Sequence, residues 1–437
     1  MLNRRNALLT TLFGAGMVGL RSLASGLPAS FLLNPRKALA DSPAPSCNAP
    51  DKAQYVVFAT SGLGDPINAN APGCYDDPNI THPNDPSMAP ATLSLGGTSY
   101  TAAAPWASLP QDVLDRTAFF HLMTNTPVHP KEPDVLKLMG ATYQSEMLPS
   151  ILAKELAPCL GTVQTEPICL GASTPSEALS FGGTALPIIP ALALQATLTT
   201  PAGPLADLQP LRDQTLNQIY DLYKNDATPQ QRAYIDSLVA SQTQIRNLNQ
   251  SLLQALSSIT DNTAASQVLA AVTLIQMKVT PVISIHIPFG GDNHRDVGLA
   301  NEASETVAAL GVIASLMQGL DAAGLSDQVT LASLNVFGRT LGPANTDGRQ
   351  HNPDHQVSFA IGKPFRSTVI GGVVAAGADY SALAIDSKSG AGGESGDIAA
   401  TDSLASYGRT LLAAVGVAPD TIQSQITSGS VIQAALA

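Results

Sequence analysis

The sequence has little charge and few aromatic side chains. Of its 437 residues, 13% are charged and 5% are aromatic, and the formal net charge is −12. Lysine and arginine total 22 and form no extended basic run. Proteins that bind nucleic acid neutralise phosphates with clustered basic side chains, so this composition argues against a nucleic-acid partner.

Long apolar runs without polar breaks are confined to the amino terminus. Arg4 and Arg5 precede an apolar segment at 7–33, and a small-residue cleavage site follows at 38–40. This arrangement predicts a signal peptide over residues 1–40, and the paired arginines favour the twin-arginine route to the periplasm or the exterior. An ordinary export signal with an incidental arginine pair is the alternative. We expect no transmembrane segment in the mature chain.

Cysteine is scarce as well, and the four in the chain are Cys47, Cys74, Cys159 and Cys169. An even number in an exported chain allows three disulfide pairings. Proximity in the sequence favours Cys47 with Cys74 and Cys159 with Cys169. A zinc site is the competing interpretation, although none of the four has the spacing of a CxxC motif.

The mature part of the chain predicts an α/β fold with a largely parallel sheet between helices. Short apolar runs predict buried strands at 55–59, 117–123, 282–287 and 328–334. A helix predicted at 299–323 joins the last two strands, which should therefore be parallel and should end at the same edge of the sheet. Two amphipathic segments within 205–260 predict an inserted helical hairpin.

Candidate metal-binding side chains follow two of these strands. Asp65 follows a glycine turn after the first strand, and Asp292 and His294 follow a glycine pair after the third. Ligands bind at the carboxyl ends of strands in open α/β sheets, and an Asp and a His two residues apart can both reach one divalent ion. An Asx turn beside a surface histidine is the simpler alternative.

The order of the motifs resembles the family called domain of unknown function 1501, which belongs with the alkaline phosphatase and sulfatase-like proteins. Its G-G-W-D-T-H motif is similar to GGDNH at 290–294, and its S-E-F-G-R-T motif is similar to NVFGRT at 335–340. Its G-x-D-H motif is similar to GRQH at 348–351, and its first strand, glycine turn and Asp are similar to 56–65. The similarity covers nearly the whole mature chain.

The resemblance implies that residues 41–437 form one alkaline-phosphatase-like domain that hydrolyses phosphate or sulfate esters with a bound divalent metal. The candidate ligands for Ca²⁺, Mg²⁺, Mn²⁺ or Zn²⁺ are Asp65, Asp292, His294 and His351. An anionic ester would be the substrate.

Two departures from the family motifs weaken the case for a second ion. Val336 stands where the family has Glu, and Gln350 stands where it has Asp, so two anionic ligands are missing. This difference motivates an alternative function, in which a catalytically degenerate member binds or assembles protein partners at the cell envelope.

Other residues have both a chemical and a structural interpretation. Thr60 and Ser61 lie where a related hydrolase would place its nucleophile, although hydroxyl residues are common in turns. Arg339 could clamp an anionic substrate or pair with a nearby carboxylate or carbonyl. His129 could face the site from a proline-rich loop, and His355 could add a ligand, but either could instead be purely structural.

Overall fold

In the computed structural model of the protein, the described residues are Cys47, 51–172, 177–199, isolated positions between 214 and 236, 250–342 and 347–437. The predicted signal peptide lies outside this part of the chain. Most of the predicted helical hairpin at 205–260 also lies outside it, although its last segment, Gln250–Ser257, is helical.

A largely parallel sheet forms the centre of the described part. The strands are, in chain order, β1 (Tyr55–Ser61), β2 (Pro90–Leu95), β3 (Thr98–Ala103), β4 (Thr117–Leu122), β5 (Ile168–Cys169), β6 (Ser180–Phe181), β7 (Thr184–Ala185), β8 (Val282–His286), β9 (Val329–Asn335), β10 (Gly338–Arg339), β11 (His351–Asn352), β12 (Gln356–Ile361), β13 (Thr368–Ile370), β14 (Val373–Ala376) and β15 (Asp379–Ala382). Seven of these form the central sheet in the order β13-β4-β12-β9-β1-β8-β5. Strand β12 is antiparallel to β4 and β9, and the other neighbouring pairs are parallel.

Helices cover both faces of the sheet. They are α1 (Ile67–Asn70), α2 (Ala104–Ala107), α3 (Gln111–Leu114), α4 (Glu132–Leu136), α5 (Leu148–Leu160), α6 (Ala191–Thr199), α7 (Gln250–Ser257), α8 (Ala264–Gln276), α9 (Ala300–Ala322), α10 (Ser403–Ala414) and α11 (Pro419–Gln425). Helices α8 and α9 pack in one hydrophobic cluster, and α5 and α10 pack in another. The mixed α/β class that the sequence predicts is confirmed.

Strand β1 shows why a continuous apolar run forms a central strand here. It pairs with β8 on one side and β9 on the other, and all seven of its residues are buried. Successive side chains of a strand point to opposite faces. Tyr55 and Val57 therefore join the cluster with α8 and α9, whereas Val56 and Phe58 join the cluster with α5 and α10.

The β8-α9-β9 unit has the predicted direction. Both strands run parallel to β1, which lies between them, so the carboxyl ends of all three meet at one edge of the sheet. Helix α9 ends two residues before Gly324, whose φ of +68° favours glycine and stops the helix. This edge carries the polar turns described below.

Helix α9 is also the one segment of the described residues long and apolar enough to cross a membrane. The span Val297–Ala322 has a mean hydropathy of 1.3 over its most apolar window, 44% of which is buried inside the protein. Ile313 and Leu316 on this helix are fully buried in the cluster that packs on the sheet. A core helix accounts for this composition, and no transmembrane segment is indicated within the described part of the chain.

The disulfide pairing predicted from sequence proximity is wrong. Cys47 is bonded to Cys159, at the end of α5 and 112 residues away, whereas Cys74 and Cys169 are free and buried. Cys169 lies within β5 and donates its thiol hydrogen to the carbonyl oxygen of Gly171 at 3.3 Å. Closeness along the chain misleads here because the fold brings Cys47 to the end of α5, while Cys74 and Cys169 are buried as free thiols.

Candidate metal centre

Three segments bring four metal-binding side chains to the carboxyl edge of the sheet. His129 lies in the loop that follows β4, Asp292 and His294 follow β8, and His351 begins β11. The turn after β8 needs Gly290 and Gly291, because their φ values of +103° and +43° lie where other residues are strained. Strand β11 pairs with β10, which places His351 opposite Arg339.

His129, Asp292, His294 and His351 form a compact group, which we call the His/Asp cluster. One ligand atom from each residue lies within 4.8 Å of the others. Asp292 is exposed and the three histidines are half-buried, so one side of the cluster opens to solvent. The described residues therefore contain a solvent-accessible group that could hold a metal ion.

Hydrogen bonds orient two of the imidazole rings. His129 Nδ1 donates to the carbonyl oxygen of Gly62 at 2.8 Å, and His351 Nδ1 donates to the carbonyl oxygen of Pro127. Each bond places the ring proton on Nδ1 and leaves the lone pair of Nε2 directed at the cluster. Outer partners of this kind commonly fix the tautomer of a metal-binding histidine.

The separations between the donor atoms suit coordination. His294 Nε2 lies 2.7 Å from His351 Nε2 and 3.5 Å from Asp292 Oδ1, and His129 Nε2 lies 3.6 Å from Asp292 Oδ2. Donors bound to a tetrahedral Zn²⁺ at about 2.0–2.1 Å lie roughly 3.3 Å from one another. A small adjustment of the rings would place these atoms around one ion.

The local charges favour the protonation states that coordination requires. Burial lowers the pKa of His351 to about 4, although its hydrogen bond to Pro127 opposes the shift. Burial and the charge of Arg339 lower the pKa of His294. Burial raises the pKa of Asp292, but the positive charge of Arg339 and its hydrogen bond to the carboxylate oppose burial, and that pKa stays below its usual value. Two imidazoles are thus neutral and the carboxyl is ionised at pH 7.

Arg339 supports this site from inside the protein. Its side chain is fully buried, and its guanidinium donates to Asp292 Oδ1 at 3.0 Å and to the carbonyl oxygens of Leu63 and Gly64. A further contact joins it to the carbonyl oxygen of Arg349 at 3.5 Å. The guanidinium holds the turn after β1 against Asp292, so its donors are used within the protein and not directed at solvent.

Asp65 does not join the other three predicted ligands. It is buried below the turn after β1, where its Oδ1 accepts a hydrogen bond from Ser61 Oγ at 2.9 Å. Asp65 is not among the donors that lie within 4.8 Å of one another in the His/Asp cluster, and Arg339 donates to the carbonyl oxygens of the turn that precedes it. The structure therefore brings together Asp292, His294 and His351, with His129 in place of Asp65.

The two predicted nucleophiles are enclosed as well. Thr60 and Ser61 are 1% and 0% exposed. The hydroxyl of Thr60 lies 3.1 Å from Ser284 Oγ, and that of Ser61 donates to Asp65. Neither hydroxyl faces the solvent side of the cluster.

His355 lies in a second group of donors, with Cys74 and His121, and all three are fully buried. His355 Nε2 lies 2.9 Å from His121 Nδ1, which is 3.8 Å from Cys74 Sγ. Because His121 Nε2 donates to the carbonyl oxygen of Pro72, its Nδ1 accepts from His355. This group could hold a metal ion, but its two histidines already form a hydrogen bond with each other. His355 is therefore neither a surface residue nor a ligand of the His/Asp cluster.

The sequence predicts that His129 either faces the site from a proline-rich loop or is purely structural, and nothing in it singles out Glu132 or Glu177. The sequence contains weak evidence that His129 belongs to the site, because a histidine in a loop after a predicted strand can reach the same edge of the sheet as the other turns. Glu132 lies three residues later, at the start of α4. No spacing identifies Glu177, because only the fold brings it near the turn after β1.

No protein-family model matches the chain, and no curated protein does. One solved structure that matches is described as the structure of PH0037 protein from Pyrococcus horikoshii. The match has 11% sequence identity and a TM-score of 0.28, and it covers 71% of this chain and 87% of that chain. This distant similarity carries no argument about function, and the resemblance to the domain of unknown function 1501 family stays a prediction.

Proposed function

We propose that the protein is an exported, metal-dependent hydrolase of phosphate or sulfate esters, built on an alkaline-phosphatase-like core. The observation that carries the proposal is the His/Asp cluster, in which three imidazoles and one carboxylate face one point at the carboxyl edge of the sheet. Three of the four donors lie in the motifs that resemble the family, which supports a shared chemistry.

The donor set favours a transition metal over Ca²⁺ or Mg²⁺. Imidazole nitrogen suits Zn²⁺, whereas Ca²⁺ and Mg²⁺ prefer sites made of oxygen ligands. Among the ions that the sequence suggests, Zn²⁺ therefore fits three histidines and one aspartate best. A bound divalent ion would supply positive charge that polarises an ester oxygen and activates a water molecule.

The protein groups around the cluster have distinct tasks in this proposal. The carbonyl oxygens of Gly62 and Pro127 hold two imidazoles in orientation, and Arg339 holds Asp292 ionised and in place. The side chains of Asp292 and His294 are 43% and 34% exposed, which leaves an open side for an ester. Because Thr60 and Ser61 are enclosed, water from this side is the nucleophile that the geometry supports.

The second candidate is a non-catalytic protein that binds or assembles envelope partners. Two observations favour it: the donors of Arg339 are used within the protein, and Val336 is packed in the hydrophobic core. Enzymes that transfer phosphoryl groups commonly bind the substrate anion with a cationic side chain. Among the described residues of the cluster, Arg339 does not offer free donors for this purpose.

Elemental analysis and a hydrolysis assay separate the two candidates. Protein purified from its native compartment should contain a divalent metal, and it should hydrolyse an aryl phosphate or an aryl sulfate. His294→Ala should lose both properties, whereas His82→Ala, a histidine outside the cluster, should keep them. A metal-loaded protein that hydrolyses neither ester would favour the binding protein, and a native protein that contains no metal and has no activity would contradict both the centre and the hydrolase.

A further inference from the structure

One cysteine and two histidines meet in the interior of the protein, between the sheet and the loop that follows α1. Cys74 lies in that loop, His121 lies in β4, and His355 directly precedes β12, which pairs with β4. One donor atom from each residue lies within 4.8 Å of the others, and all three side chains are 0% exposed. We call this group the Cys/His cluster. Sulfur and imidazole nitrogen are the donors that soft transition metals prefer.

The separations between these donors fit coordination of one ion. Cys74 Sγ lies 3.8 Å from His121 Nδ1, which lies 2.9 Å from His355 Nε2. Donors bound at about 2.0–2.3 Å in a trigonal arrangement lie roughly 3.5–3.8 Å from one another. The sulfur–nitrogen separation is already in this range. The two imidazoles are closer because a hydrogen bond joins them, and an ion in place of its proton would move them apart by a fraction of an ångström.

The surrounding hydrogen bonds allow both rings to present a lone pair to the cluster. His121 Nε2 donates to the carbonyl oxygen of Pro72 at 3.0 Å, so the lone pair of its Nδ1 faces inward. The backbone N–H of His355 donates to Asn352 Oδ1 at 2.9 Å, which fixes the main chain there. His355 Nδ1 lies 3.4 Å from Asn68 Nδ2, beyond the usual N–H hydrogen-bond range of about 2.7–3.2 Å. This contact does not hold the ring proton on Nε2, so the proton can move to Nδ1.

The loop after α1 packs tightly against one of the rings. Gly73 has a φ of +91°, and a Cβ added there would lie 2.5 Å from His121 Nε2. Glycine therefore lets the backbone approach the imidazole more closely than another residue could. Since Pro72 accepts a hydrogen bond from the same ring, the loop is fixed on both sides of the contact. Cys74, the next residue, is thereby held beside His121.

The charge and the number of donors favour Cu⁺ over Zn²⁺. Burial raises the pKa of the Cys74 thiol, so a metal that binds here takes the place of the thiol proton. One thiolate and two neutral imidazoles carry a single negative charge, which Cu⁺ balances. Zn²⁺ would leave a net positive charge, and an uncompensated charge in a protein interior is costly. Structural zinc sites also have four ligands in almost every case, whereas this group of described side chains supplies three.

We propose that Cys74, His121 and His355 bind one copper ion, as Cu⁺, in a trigonal site made of one thiolate and two imidazoles. Thiolate ligands select Cu⁺, and a trigonal set of two histidines and one cysteine is a copper-binding arrangement. A bound ion would join the loop after α1 to β4 and β12. A thiol beside a hydrogen-bonded pair of histidines, with no ion, is the alternative. This inference depends neither on hydrolase activity nor on an ion in the His/Asp cluster.

The cysteine content of the chain makes the site testable through its sulfur. The chain has four cysteines, and Cys47 is bonded to Cys159, so Cys74 and Cys169 supply the free thiols. The His/Asp cluster contains no sulfur. A copper ion bound to a thiolate is therefore held by Cys74 or by Cys169, and substitution of each cysteine in turn distinguishes them.

Cu⁺ binding measured against a chromogenic Cu⁺ chelator, together with X-ray absorption at the copper edge, tests the proposal. The measurement uses the purified mature chain carrying His294→Ala, which removes one ligand of the His/Asp cluster. Ascorbate keeps the copper reduced and leaves the disulfide intact. This protein should bind one Cu⁺ with sulfur and nitrogen in its first shell. Adding Cys74→Ser should remove the sulfur scattering and weaken binding by more than about tenfold, because even outer partners of a metal site change affinity by that factor.

Cys169→Ser in the same background is the matched control, because it removes the other buried free thiol. It should leave the affinity and the sulfur scattering unchanged. His355→Gln should weaken binding and keep the sulfur, and it decides the matter if fluorescence of Trp106 shows that Cys74→Ser does not fold. The proposal is wrong if the His294→Ala protein binds no Cu⁺, if the bound copper has no sulfur ligand, or if the sulfur remains in Cys74→Ser. Since binding and not turnover is measured, its failure is distinct from failure of the proposed hydrolase.

Discussion

Removal of the Cys47–Cys159 disulfide should lower the stability of the folded protein by several kcal/mol. The bond joins residues 112 apart in the sequence. In the chain-entropy model, a crosslink that closes a loop of this length stabilises the folded state by about 4–5 kcal/mol, because it restricts the unfolded chain. Native disulfides typically contribute about 2–5 kcal/mol, so we expect the Cys47→Ser variant to lose an amount in that range.

Urea unfolding followed by tryptophan fluorescence measures this loss. Trp106 is the single tryptophan of the chain, and it is fully buried against Phe119, Phe289 and Phe359. Its emission should therefore report loss of the core that covers one face of the sheet. The parent protein measured with a reducing agent should match the variant measured without it.

Substitution of a free cysteine provides the contrast. Cys169→Ser removes a buried thiol that forms no disulfide, so its effect should not depend on the reducing agent. The reasoning is refuted if Cys47→Ser changes the free energy of unfolding by less than about 0.5 kcal/mol, a change typical of a surface substitution. It is also refuted if reduction destabilises the Cys47→Ser variant as much as the parent.

Two further predictions concern the turn after β1 and the buried histidine pair. Gly64→Ala should destabilise the protein more than Gly97→Ala. Both positions have positive φ, so both substitutions strain the backbone. A Cβ added at Gly64 would also lie 2.0 Å from the ring of Phe337, whereas a Cβ added at Gly97 would have no atom within 4 Å. Equal losses in urea unfolding would show that the turn can move away from Phe337. Burial lowers the pKa of His121 from 6.5 to about 4. Between pH 6.5 and about pH 4, this histidine is therefore protonated in the unfolded chain but neutral in the folded protein. The contribution of His121 to the free energy of unfolding should therefore be complete above pH 6.5. It should fall by about 3 kcal/mol as the pH drops to about 4. His121→Gln should show a shallower pH dependence over that interval, and an unchanged slope would contradict the assigned burial of this histidine.

The strands and their direction could be predicted because each depends on local pattern. The runs at β1, β8 and β9 are apolar and β-branched, and a helix between the last two dictates parallel strands. Asp292 and His294 could be singled out for the same reason, since a glycine pair directly after a buried strand places them at the sheet edge. Their local sequence determines where they lie.

The remaining features depend on contacts between distant residues. His129 comes from the loop after β4, and its orientation depends on the carbonyl oxygen of Gly62, 67 residues earlier. The position of Asp65 after a strand predicts that it joins the other ligands, but Arg339 binds the intervening turn and Asp65 is buried. The pairing of Cys47 with Cys159 is equally non-local. No pattern within a short window contains this information.

X-ray absorption spectroscopy of the native protein tests the central claim most directly. The account predicts a bound transition metal whose first shell contains nitrogen and oxygen at about 2.0–2.1 Å, with the outer-shell scattering of three imidazoles. His129→Ala should reduce that imidazole contribution by one ring, because His129 is a member of the His/Asp cluster. A native protein without a transition metal, or with a metal whose shell contains no imidazole, would contradict the metal centre on which the proposed function depends.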